Sequence, residues 1–193
     1  MATLGGMNLP YRQIRASYTE EAVTVYQAYD PDIAGRAVAA QRFVPPFKRE
    51  RMTWIKPSFH WMMYRSGWAA KPGQTRVLAI EITRDGFEWA LARSCPSHPG
   101  TGDDHASWAA RLRDSPVRIQ WDPERDAHLN PLPYRSIQIG LSREAVDRYV
   151  DQWIVSITDI TDTLGTVRAG ASAPPAERPY PLPAALAAVV GAA

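Results

Sequence analysis

Residues 45–68 read PPFKRERMTWIKPSFHWMMYRSGW, and the reading of this stretch decides the rest. It holds three of the seven tryptophans, three of the five methionines and two of the four phenylalanines. Lys48, Arg49, Arg51, Lys56 and Arg65 stand against a single acid, Glu50. A solvated loop does not need so many large aromatics, and a core segment does not carry so many cations. A wall that is apolar on one side and holds an anion on the other would use both. Pro45-Pro46 breaks the chain, and Arg51 to Ile55 suits a short strand. Lys56-Pro57 favours an extended residue and then a helix over residues 57–66, which Gly67 can end in the left-handed conformation. Phe59, Met62, Met63 and Ser66 share one side of that helix and should face the core.

Two readings of the cations remain open. In the plain one, Trp54 and Trp61 cover the core edge and the basic residues are a wet rim. In the other, Lys48, Arg49, Arg51 and Lys56 crowd a helix start where backbone N–H groups, with Ser58 in the first turn, favour an anion. Arginine can grip a phosphate with two parallel hydrogen bonds. Trp54, Trp61 or Tyr64 could then stack on a base or nicotinamide ring.

Upstream, residues 11–18 suit a short strand and Val23 to Tyr29 a stronger one, with Tyr26 and Gln27 on opposite faces. Asp30-Pro31 reads as a cap and first residue of a helix reaching Gln41. Downstream, Arg76 to Ile82 reads as a buried central strand, followed by a helix over 84–93 capped by Thr83. Residues 94–104 have loop composition, and 106–113 suit a short helix. Val117 to Trp121 alternates as a half-exposed strand, Asp122 to Arg125 reads as a turn, and Asn130 to Pro133 as rigid loop. Arg135 to Leu141 is a strand, Ser142 caps a helix to Asp151, and Trp153 to Ile157 is the last strand. This order is α+β: one domain over 9–170, a mixed sheet with short helices outside it. Residues 1–8 read as a disordered leader, and 171–193, rich in alanine and proline, as a disordered tail.

Gln27 and Gln138 stand out as amides among apolar strand residues. Each suits the wet face of a half-exposed strand, or the two suit a shared cleft as paired hydrogen-bonding groups.

A formal charge of +2 over 193 residues does not by itself indicate a nucleic-acid binder, so basic character has to be local. The lone Cys95 excludes an internal disulfide and fits a reducing cytoplasm. No apolar run reaches the roughly 20 residues that span a bilayer, so no membrane partner is expected. The phosphate-loop, dinucleotide-fingerprint, zinc-protease and nucleophile-elbow motifs are absent. His60, His98, His105 and His128 lack metal-ligand spacing, and no metal is expected.

The segments VTVYQAY, the 45–68 stretch, RVLAIEITRDGFEWAL, PVRIQWDPER and RSIQIGL resemble the family catalogued as domain of unknown function 4291, across about residues 11–162. The order of elements also resembles the ADP-ribosyltransferase fold, a split mixed sheet that holds NAD in its central cleft. That resemblance implies catalytic roles for Gln27, at a position usually histidine or arginine, for Ser58, and for Gln138, at a position usually glutamate. It implies that Tyr26, Lys48, Arg49, Arg51, Trp54, Lys56 and Tyr64 contact NAD. The expected activity is transfer of ADP-ribose from NAD to a nucleotide, nucleic acid or protein. The alternatives are a non-catalytic module for a nucleotide or single-stranded nucleic acid, and an interaction protein whose aromatic stretch is all core.

Overall fold

The computed structural model describes residues 9–100 and 102–192, and the expected leader, residues 1–8, lies outside them. The chain forms β1 (Arg15–Ala16), β2 (Ala22–Tyr29), α1 (Pro31–Ala40), β3 (Thr53–Ile55), α2 (Phe59–Ser66) and β4 (Arg76–Thr83). It continues through α3 (Arg84–Ala92), β5 (Ser94–Pro96), α4 (His105–Asp114), β6 (Val117–Arg125), β7 (Pro131–Leu141) and α5 (Glu144–Arg148). A π-helical turn, Tyr149–Trp153, leads to β8 (Ile154–Asp159), α6 (Leu164–Arg168), β9 (Arg178–Pro179) and α7 (Ala184–Val190). The fold is α+β.

Two sheets carry it. One has the order β2-β4-β8, all antiparallel, with the expected central strand β4 in the middle. The other has the order β3-β7-β6-β5, mixed because β5 runs parallel to β6. The main core lies on the inner faces of both. Val23 and Val25 of β2 and Leu78, Ile80 and Ile82 of β4 join Ile55, Ile119, Ile137, Ile139 and Leu141 there. On its other face β2 turns Tyr26 into a smaller core with Phe59, Trp61, Met62 and Met63 of α2. Strict alternation on β2 thus serves two cores at once.

The sheets meet edge to edge at one bridge, where Tyr26 N–H donates to the Lys56 carbonyl at 2.8 Å. Beyond that point β2 and β3 share no ladder, and the gap between them is a cleft. Asp30 caps α1 beside it, accepting from the Asp32 and Ile33 amides, and Gln41 ends the helix at φ 51°.

Four expectations change. β6 runs through the expected turn at 122–125, with Pro123 beside a register shift, where a missing N–H is tolerated. The true turn is centred on Asp126, whose carboxylate takes the His128 and Asn130 amides. β7 begins within the expected loop, because β3 pairs only with residues 139–141 and leaves Pro131 and Pro133 at a free edge. The helix expected to reach Asp151 changes to the π turn, which aims Tyr149 and Trp153 into the core. Gly86 of α3 packs directly beneath the Trp153 indole.

The fourth change is the tail. It returns to the body instead of remaining disordered: β9 pairs antiparallel with β1, and Tyr180 and Val190 are buried in the main core. The Tyr180 ring meets Tyr18 and Phe87 edge-on, and its hydroxyl bonds Arg84 and Glu88. Trp121 Nε1 donates to the Val190 carbonyl. Prolines lower the entropy of the free chain, so a few apolar anchors suffice to dock it.

Candidate functional site

The cleft at the parting of β2 and β3 is a cavity of about 440 Å³. Its floor is a hydrogen-bonded knot. Gln27 Nε2 lies within donating range of Thr53 Oγ1 (2.7 Å), Tyr29 OH (3.0 Å) and the Trp54 carbonyl (3.0 Å). Gln27 Oε1 accepts from Tyr149 OH at 2.7 Å. Both amide hydrogens are thus committed, and Gln27, 3% exposed, rivets β2 to β3 and to the π turn. Burial raises the pKa of Tyr29 to about 12 and that of Tyr149 well above its usual value, so both phenols stay protonated.

The walls are aromatic. Trp54 lies flat over Gly140 of the neighbouring strand, where a Cβ would stand 2.9 Å from its ring. Trp61 and Met62 come from α2, and Phe47 from the loop before β3. Gln138 of β7 reaches the same space. Its Nε2 donates to Gln120 Oε1 at 2.9 Å and lies 3.5 Å from Asp122 Oδ2. Two acceptors on that side orient the amide, and Gln138 Oε1 has no protein partner among the described residues. Gln27 and Gln138 therefore do share a cleft, one saturated and one with a free acceptor.

Lys48, Arg51 and Arg65 stand exposed around the mouth, and none has an ion-pair partner among the described residues. The one carboxylate lining the cavity, Asp30, is committed to its helix cap.

The other expected site residues lie elsewhere. Tyr26 is buried against Phe59, on the face of β2 opposite to Gln27. Arg49 turns away to Asp151 and Asp147. Lys56, 1% exposed, runs beneath Trp61, with Nζ 3.8 Å from the ring centroid, 3.0 Å from Asp122 Oδ2 and 3.3 Å from the Ser136 carbonyl. Burial pulls its pKa down to about 8, against the opposing pull of Asp122. Ser58 is the N-cap of α2: it accepts from the Trp61 amide and donates to Glu124 Oε1 at 2.7 Å. Tyr64 is exposed, with the Arg125 guanidinium 3.7 Å over its ring. The anion expected at the α2 amino terminus is supplied from within: Glu177 Oε1 accepts from the Phe59 amide at 2.6 Å.

Arg65 and Gln74 complete the lining without having been singled out as site residues. The i, i+4 spacing of Trp61 and Arg65 on one helix is a usable signal for the first. Nothing around Pro72-Gly73 marks the second. Among the described residues no group of three His, Cys, Asp or Glu side chains could hold a metal, and no helix is long and apolar enough to cross a membrane.

The model of the family described as Domain of unknown function (DUF4291) matches residues 13–179, so the chain belongs to that family. No curated protein matches the chain. The family description carries no activity, and a functional reading has to start from the cleft.

Proposed function

We propose that this member of the family binds a nucleotide where its two sheets part, and that NAD is the ligand, cleaved for transfer of ADP-ribose. The observation that carries this is the convergence of Lys48, Arg51 and Arg65, all unpaired among the described residues, with Trp54, Trp61 and the free Gln138 Oε1 on one cavity. Its volume of about 440 Å³ falls within the roughly 300–1,000 Å³ of small-molecule sites. The cations suit a pyrophosphate, the indoles a planar ring, and Gln138 Oε1 a ribose hydroxyl. In the transfer, the bond from ribose C1′ to nicotinamide breaks, nicotinamide leaves with the electron pair, and C1′ bonds to an acceptor atom that loses a proton.

A second reading has its own support. An oxocarbenium-like transition state calls for negative charge nearby, and the only lining carboxylate is the helix cap Asp30. That favours a non-catalytic module for a nucleotide or single-stranded nucleic acid, with the same cations and indoles as its contacts.

Thermal unfolding with NAD, ADP or a short single-stranded RNA separates these. A ligand at about a hundred times its Kd stabilises by roughly 2.7 kcal/mol, a rise of several degrees in Tm. A rise with NAD together with nicotinamide release supports the transferase. A rise without release, or with ADP or RNA alone, supports the module. No rise with any of the three overturns both.

A further inference from the structure

The C-terminal segment makes a contact that none of the cleft chemistry uses. Glu177 places its carboxyl on the first amide of α2, the helix that carries Trp61, Met62 and Arg65 to the cleft. Around this latch, Tyr18 OH donates to the Pro179 carbonyl, Arg178 donates to the Tyr18 carbonyl, and the Tyr180 amide donates to the Ile14 carbonyl. Between α6 and Glu177 the chain is exposed, so these anchors alone hold residues 176–192.

The surroundings of the Glu177 carboxyl oppose its charge. Arg15 of β1 is the near cation, yet its Nη2 bonds the Glu177 backbone carbonyl at 3.3 Å, and among the described residues Glu177 has no ion pair. Glu124 of β6 repels it. Tyr26 of β2 and Tyr134 of β7 also feel its charge, and the Tyr26 hydroxyl is buried without a partner among the described residues. On α2 itself, His60 is held neutral to lower pH by burial and couples to Glu124, not to Glu177.

We propose that residues 176–192 form a releasable strap latched by Glu177, and that deprotonation of Glu177 loosens the strap and with it the α2 wall of the cleft. The link to ligand binding rests on the nucleotide reading; the titration of the strap does not. Burial pushes the Glu177 carboxyl up to about 8. A carboxyl raised in the docked state holds its proton more tightly there than when released. Its contribution is full below the ordinary carboxyl range and is lost as pH rises to about 8. Lys56 titrates near the same pH, but its pKa is lowered, so its contribution has the opposite sign.

The test is amide exchange of the full chain from pH 5.5 to 8.5, corrected for intrinsic chemistry, in the wild type and in Glu177→Gln. Gln keeps an acceptor for the Phe59 amide and removes the titration. In the wild type, protection of the Phe59 and Tyr180 amides should fall together, by up to about a hundredfold, while β4 amides hold. In Glu177→Gln it should stay level. A flat wild-type profile, an equal slope in Glu177→Gln, or an equal fall in β4 would each overturn the strap. ADP binding at pH 6, followed by thermal shift, is scored separately. Binding with a flat exchange profile sinks the strap alone, and a titrating strap without binding sinks the nucleotide reading alone.

Discussion

The two ends of α2 come from one basic–aromatic stretch and put the same chemistry to opposite uses. At its first turn every polar group finds a partner inside the chain. Ser58 meets Glu124, the Phe59 amide meets Glu177, and Lys56 meets Asp122. At its last turn Arg65, with Lys48 and Arg51 on the cleft mouth, meets no acid among the described residues. The partners at the first turn arrive from far along the chain, on β6 and beside β9. A charge becomes structural where the topology delivers its counterpart, and stays available where it does not. The same division separates the two glutamines, Gln27 saturated by four neighbours and Gln138 holding one acceptor free.

The largest expected effect lies on the occupied side. Lys56→Ala leaves Asp122 without its counter-charge and opens space beneath Trp61. Breaking a buried pair costs about 3–5 kcal/mol; Asp122 is 28% exposed, which points to the low end. Urea unfolding should show a loss of about 3 kcal/mol. A loss under about 1 kcal/mol would move Lys56 off the structural side of the comparison. Gly140→Ala comes next. Its new Cβ would meet the Trp54 ring at 2.9 Å, and overpacking of this kind costs roughly 1–3 kcal/mol. Trp54 is only half-buried and can swing outward, so about 1 kcal/mol is expected, together with weaker nucleotide binding because the cleft wall has moved. Unchanged affinity in a displaced-Trp54 variant would remove that indole from the ligand wall.

Much of the fold was legible from local rules. β2, α1, β4 and α3 follow from alternation, caps and helix spacing, with ends within a residue or two. Failures came where tertiary contacts overrode local chemistry. Asp122-Pro123 has turn composition, yet β6 continues because β7 pairs beyond it. The tail has the composition of a linker, yet Tyr180 and Val190 find buried sites. For the site, the stretch itself was legible and its internal division was not. Arg49 and Arg51 look alike in sequence. Only the position of Asp151, 102 residues beyond Arg49, tells them apart.

That pair provides the finest test. Arg49 bonds both oxygens of Asp151 and also reaches Asp147, but it is 35% exposed and its partners are more so. Screening by water leaves such a pair with less than about 1 kcal/mol. Arg49→Ala should lose that much stability and leave ADP affinity unchanged. Arg51→Ala should stay within about 0.5 kcal/mol of wild type in urea. Its ADP affinity should fall about tenfold, because a charge-assisted bond to phosphate is lost, and the salt dependence of binding should become shallower. Titration calorimetry at two ionic strengths checks both variants. If Arg49→Ala weakens ADP as much as Arg51→Ala, the stretch acts as an undivided positive field. Opposite responses from two arginines two residues apart would show that the acids behind α2, more than the basic run itself, decide which cations face the cleft.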